Sequence, residues 1–171
     1  VVATQAGWWQ GKALAAGRTI HGSLFGRIAA GAENPDKGRY SDEVAVVTGT
    51  TPYSLNVGVG WFDDTAAPGQ VGNFAVAGHR GASGPFVPLL DLTPGSRVIV
   101  ETRTATYVYA LTNYPKNQTV DKYETWVIDA VPGKPDAEPT KKLITLITCR
   151  NFFHSPERSV AFGELVETID K

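Results

Sequence analysis

The sequence predicts an all-β fold, a closed or nearly closed barrel, and three observations carry that expectation. Short runs rich in Val, Ile, Tyr and Phe recur along the chain. Glycines and prolines, 18 and 11 of them, punctuate these runs at turn-like positions. Helical periodicity is sparse. The chain has 171 residues, enough for one domain with a single sizeable core.

Taken in order, residues 1–30 read as an N-terminal arm or helical segment packing on the barrel, and residues 31–171 as the barrel itself. Trp8 and Trp9 give the arm a large apolar area that needs cover, while Gly11 and Gly17 weaken a helix there. GAENPDKGRYSD at 31–42 is loop-like. VAVVTG at 44–49 reads as a strand entering a turn, and LNVGVGWF at 55–62 as a strand interrupted by glycines. DDTAAPGQVGN at 63–73 is a long turn, FAVAG at 74–78 a short apolar strand, and FVPLLDL at 86–92 holds one helical turn. Two strands with a turn near 101–105 follow, from the strand formers of SRVIVETRTATYVYALTNY. TWVIDAV at 125–131, KLITLIT at 142–148 and SVAFGELVETI at 159–169 complete the set, with PGKPDAEPTK between the first two as a proline-rich loop.

The formal net charge is −1, from 16 basic and 17 acidic side chains. That leaves no general cationic field for nucleic acid or an anionic membrane surface. No run reaches the roughly 18 consecutive apolar residues of a membrane span, and the first residues lack the basic and apolar regions of a signal peptide. The glycine fingerprint of dinucleotide sites and the Walker lysine motif are both missing. One cysteine means no internal disulfide, and it makes neither a CxxC redox pair nor a zinc site. No cofactor and no metal is expected.

Cys149 ends the apolar run LITLIT, where a core strand fixes its position while leaving it free to face a cleft. Arg158 lies across a loop, at the start of the next strand. Two strands joined in that way would set Cys149 and Arg158 side by side, and a guanidinium beside a thiol favours the thiolate. His79 stands at the end of another short strand. Cysteine attack on a carbonyl needs a thiolate, a proton donor for the leaving amine and donors for the oxyanion. Cys149, His79 and Arg158 supply these three parts. His154 is the rival base, and His21 draws less weight because of its place in the arm.

These segments are also familiar as a set. TLITC at 145–149 resembles the TLxTC motif of the sortase family, ERSVAFGEL at 157–165 its arginine-bearing strand, and NFAVAGHR at 73–80 the segment ending in its histidine. The resemblance runs over about 44–169 and implies catalytic roles for Cys149, His79 and Arg158. It implies an eight-stranded β-barrel with short helices. It further implies a cysteine transpeptidase that cleaves an LAxTG- or LPxTG-type sorting signal between Thr and Gly through a thioacyl intermediate. The acyl group would pass to an amine of a cell-wall precursor, of diaminopimelate type in some members. Partners would be surface proteins bearing the signal. The enzyme would work on the extracytoplasmic face of a Gram-positive membrane, tethered by a segment outside this chain.

PGQVGNFAVAGHR and VIDAVPG look most like the class E housekeeping sortases of high-GC Gram-positive bacteria. The loop HRGASGPF departs from that class, with Ser83 where an aromatic is usual, which would leave a wider, more polar subsite. Thr148 beside the nucleophile, Ser83, and Tyr114 and Tyr123 of the 110–142 segment are the candidate substrate or oxyanion contacts. Three alternatives stay open: a pilin-polymerising class C-like sortase, a cysteine hydrolase that transfers to water, and a non-catalytic β-barrel peptide-binding module.

Overall fold

Alternation along each strand decides what this chain buries, and one set of alternate residues builds the inside of a barrel. A computed structural model describes residues 24–31 (by backbone), 44–81, 84–152 and 155–171. β1 (Leu24–Gly31) runs antiparallel to β2 (Val44–Thr48), and β3 (Val59–Trp61) lies parallel to β2. β4 (Gly72–Ala77) returns antiparallel to β3. β5 (Arg97–Thr102) pairs with β1, and β6 (Ala105–Leu111) with β5. β7 is short (Thr119–Asp121). β8 (Lys142–Cys149) runs parallel to β4, and β9 (Glu157–Asp170) antiparallel to β8.

The spatial order is β6-β5-β1-β2-β3-β4-β8-β9, and β6 also pairs with β9, so these eight strands form a closed ring without free edges. This ring is the expected eight-stranded barrel. β7 adds a ninth strand outside it, on the first residues of β9. β9 can serve three partners because it is 14 residues long: its start pairs with β7 and β8, its end with β6. Where Val108 pairs with Glu167 and Tyr109 with Leu165, Val166 is an extra residue. Such a bulge increases coiling and helps a sheet to close.

Phe74, Val76, Val98, Val100, Ile144, Leu146 and Ala161 point inward, joined by Phe86 and Leu89 of the segment after β4. Each large side chain buried in this way contributes about 1.5–3 kcal/mol. Tyr109 is fully buried among them, and its hydroxyl accepts a hydrogen bond from Gly69 N at 2.8 Å. Gly69 has φ +76°, and a Cβ there would strike the Tyr107 ring. A second, smaller cluster lies on the outer face of β4, β8 and β9, where Ile147 and Val160 pack under Val127 with Ala77, Val120, Trp126, Ile128 and Phe162 around them.

The structure departs from the sequence expectations in four places. Residues 24–30 of the expected arm run within the sheet as most of β1; Trp8, Trp9 and His21 lie outside the described residues. The start of LNVGVGWF is helical: α1 (Pro52–Val57) begins where the Thr51 side chain accepts from Ser54 N at 3.2 Å with proline in the first turn. TWVIDAV is no strand; Trp126–Ile128 is a 3₁₀ turn. Between ALTNY and TWVIDAV, where no element is expected, the chain holds a 3₁₀ turn at Pro115–Asn117 and β7. The helical turn expected in FVPLLDL is present as a 3₁₀ turn at Val87–Asp91.

Candidate active site

β8 is read from Lys142 to Cys149 with Ile144 and Leu146 inward, so the alternate residues Thr145, Ile147 and Cys149 face out. On β9 the same alternation puts Arg158, Val160 and Phe162 on that outer face. Cys149 and Arg158 are direct partners in the antiparallel ladder, so the two side chains emerge next to each other at its end. Cys149 is partly exposed. The side-by-side placement follows from the short connection between β8 and β9.

His79 reaches the same place from β4. The parallel ladder of β4 and β8 keeps one offset throughout, ending at Ala77 opposite Ile147. Gly78 N then donates to Ile147 O at 3.0 Å, and Thr148 Oγ1 donates to Gly78 O at 2.8 Å. His79 stands two residues past Ala77, as Cys149 stands two past Ile147. Continued at that offset, the imidazole would stand level with the thiol on the same face, and Arg158 is the direct partner of Cys149 on the far side. His79 is exposed, and its carbonyl accepts from Phe86 N at 3.0 Å. Gly84 packs so tightly on that carbonyl that a Cβ would lie 2.3 Å from the oxygen.

Arg158 is half-buried, and its Nη1 donates to Ser155 O at 2.7 Å and Glu157 O at 3.1 Å. Both bonds use one nitrogen. A guanidinium carries five N–H donors, so the anchored Arg158 keeps others to offer to a carbonyl at Cys149. Thr148 is buried, with its hydroxyl on the Gly78 carbonyl and its side chain on the face opposite Cys149.

The outer cluster lies behind this end of β8: Ile147 and Val160 are buried under Val127, with Ala77, Val120, Trp126 and Ile128 packed around them. Asn73 fastens the Trp126–Ile128 turn over it. Its Nδ2 donates to Val127 O at 3.2 Å and Asp129 O at 3.0 Å, and its Oδ1 accepts from Thr145 Oγ1 at 2.8 Å. Asn113, two residues past β6, holds β9, donating to Val160 O at 3.0 Å and accepting from Phe162 N at 2.8 Å. Tyr114 and Tyr123 are exposed, the second with Lys122 Nζ 4.8 Å from its ring centre. Ser83 and His154 lie outside the described residues. Beside His79 a cleft of about 340 Å³ opens against α1, lined by Leu55, Asn56, Val57, Gly84 and Pro85. Among the described residues no three His, Cys, Asp or Glu side chains gather as a metal-ligand set.

Sequence reasoning missed Asn73 and Asn113; Arg80 and Arg150 were read only as charges flanking the key residues. Asn73 was visible at the start of NFAVAGHR, but a lone buried amide carries no spacing signal. Its meaning appears only with the partners that a distant segment brings.

The model of the sortase domain family matches residues 39–166. Among curated relatives, sortase SrtE2 of Streptomyces coelicolor is 31% identical over 133 residues, covering 74% of this chain and 52% of that protein. Sortase SrtE1 of the same organism is 34% identical over 110 residues, covering 60% of this chain and 29% of that protein. The chain thus spans about half of one relative's length and less than a third of the other's. Among solved structures, sortase E from Streptomyces avermitilis superimposes with a TM-score of 0.70 at 30% identity, over 86% of this chain and 90% of that one.

Proposed function

The chain belongs to the sortase family of cysteine transpeptidases, and from that premise we propose that it is a housekeeping, class E-like enzyme. In this reading it cleaves an LAxTG- or LPxTG-type signal between Thr and Gly and joins the Thr carbonyl to a cell-wall precursor amine, of diaminopimelate type. The observation that supports the reading is the β4–β8 ladder offset, which, continued two residues past Ala77 and Ile147, would bring His79 level with Cys149, whose direct partner on β9 is Arg158.

The chemistry follows from that rung. The Cys149 thiolate adds to the Thr carbonyl carbon, and Arg158 donates to the oxygen as charge develops there, in the forked pattern a guanidinium offers. The tetrahedral species collapses, the C–N bond breaks, and His79 gives its proton to the departing Gly amine. A thioester remains on Cys149. An incoming amine then loses its proton to His79 and attacks the thioester, which releases the thiolate and forms the new amide.

In this reading the signal peptide lies on the outer face of β8 and β9 beside Cys149 and Arg158, meeting the exposed Tyr114 and Tyr123 and Ser83, four residues after His79. Thr148 backs the nucleophile. The cleft between His79 and α1 gives the acceptor amine its own way in. Partners are signal-bearing surface proteins and the precursor amine, met on the extracytoplasmic face of a Gram-positive membrane.

The test is intact-mass measurement after mixing the protein with LAxTG and LPxTG peptides, with and without glycine or diaminopimelate. A thioacyl adduct on Cys149, absent from C149A and converted to an amide by amine, is the expected result, and its yield ranks the two signals. An adduct released only to water would make the chain a hydrolase. Absence of any adduct, with Cys149 still open to alkylation, would leave a peptide-binding module.

A further inference from the structure

β4 and β8 stop pairing with each other at Ala77 and Ile147, yet the side chains said to react stand two residues later: Cys149 is still paired with Arg158 of β9, but His79 lies past the end of β4. Past a strand end, backbone pairing no longer fixes the separation of two side chains, and a misplacement of about 1 Å at a reacting pair costs about a hundredfold in rate. Something must hold the His79 and Cys149 rung from beyond.

The rung before it is held by Thr148 Oγ1 on Gly78 O. The rung after it is held by Arg80. Its Nη1 donates to Arg150 O at 2.5 Å, and its guanidinium carbon lies 4.3 Å from the centre of the Phe152 ring. Residues 77, 78 and 80 thus meet 147, 148 and 150 at the same spacing, and the pair between them is His79 and Cys149. Arg150 is fixed in turn: its N donates to Glu157 O at 3.0 Å, and its own Nη1 to Lys116 O. Gly81 continues the contact, since a Cβ there would come within 2.7 Å of Phe152 O.

Arg80 is an odd choice if its task were stability alone. Its Nε is buried with no hydrogen-bond partner among the described residues, an arrangement that costs free energy and that an apolar side chain of similar length would avoid. We propose that Arg80 is a positioning residue. By donating to the Arg150 carbonyl and stacking on Phe152, it extends the β4–β8 register past the strand ends and holds His79 against Cys149. The inference rests on the transpeptidase reading of that pair.

The experiment compares R80M, R80Q and R80K with the unsubstituted protein, and with C149A and H79A, in peptide-to-amine transfer and thermal unfolding. For R80M we expect a melting temperature within about 5 °C of the parent. Its KM for the signal peptide should stay within about twofold while kcat falls about 10- to 100-fold. R80K, which keeps a donor for the Arg150 carbonyl but not the planar stack, should recover part of kcat; R80Q, with a weaker neutral donor, less. Parental kcat in folded R80M or, should that variant not fold, in R80Q would overturn the proposal. So would a rise in KM at unchanged kcat, which would make Arg80 a peptide contact. If C149A and H79A also turn over normally, the underlying reading has failed; if they are inactive while the Arg80 variants are normal, only this inference has.

Discussion

Asn73 offers the sharpest test of how the outer cluster is built, because one buried amide ties β4 to a segment more than fifty residues away. The residue is 1% exposed. Replacing it with alanine deletes three hydrogen bonds, to Val127 O, Asp129 O and Thr145 Oγ1. At about 1 kcal/mol net each, that is about 3 kcal/mol, and stranding the buried Thr145 hydroxyl and Val127 carbonyl raises the loss to about 3–5 kcal/mol. Denaturant unfolding should show a loss in this range for N73A, with KM for signal peptide raised because the Trp126–Ile128 turn beside the outer face of β8 is released. N73D is the stricter variant. It sets a carboxylate against two carbonyl oxygens, so its ionised form is penalised and its folded carboxyl titrates above an ordinary aspartate. Its deficit should therefore be small in acid, below the unfolded carboxyl's range, and should grow as pH rises through the folded value. An N73A loss under 1 kcal/mol with unchanged KM would refute the reasoning.

Three further outcomes follow from single contacts. Burial, opposed by the Gly69 hydrogen bond and aided by Tyr107, pushes Tyr109 up to about 12 from an ordinary value of 10.0. Its contribution is complete below pH 10 and drains as pH rises toward 12, by about 1.4 kcal/mol per pH unit; Y109F should lose that share of the alkaline slope, and equal slopes in the two proteins would refute it. R158K should stay folded, within about 1 kcal/mol of the parent, yet lose about 100-fold in acylation, since one ammonium cannot anchor on Ser155 and Glu157 and also fork onto a carbonyl; single-turnover adduct formation reads this, and near-parental rates would reduce Arg158 to a loop anchor. G84A brings a methyl group 2.3 Å from the His79 carbonyl oxygen, so it should cost about 1–3 kcal/mol and lower kcat about tenfold, measured by melting and turnover, and unchanged turnover would show that the loop absorbs the methyl without moving His79.

Much of the barrel was legible because strands announce themselves through what they bury. LITLIT and VAVVTG alternate or run apolar in short blocks, and both are strands. The failures share a cause. TWVIDAV has a strand's composition, but its backbone carbonyls at Val127 and Asp129 go to Asn73 rather than to a neighbouring strand. The partner is remote in sequence, so no local pattern could reveal it. LNVGVGWF was misread because the capping Thr51 and Pro52 lie upstream of the window that looked strand-like. β1 was folded into the arm because LFGRIAAG offers small residues and glycine instead of an alternating apolar face.

The site shows the same division. Cys149 and Arg158 are joined by a short loop, and an antiparallel pair so connected has few registers, which is why their partnership could be inferred from spacing. His79 comes from a parallel neighbour 70 residues away, and parallel pairing is fixed by no turn. Its register is set by the inward packing of Phe74 and Val76 beside Ile144 and Leu146, since a slip of β4 by one residue would turn Phe74 and Val76 outward. The barrel core therefore determines where the imidazole meets the thiol, and the chemistry depends on packing that the reacting residues do not themselves touch. That dependence is greatest where the ladder ends, at Gly78 and Ile147. Beyond that point two side chains, Thr148 and Arg80, take over from the backbone. A site placed there gains exposure for two substrates and must recover by side-chain contacts the precision that the strands no longer supply.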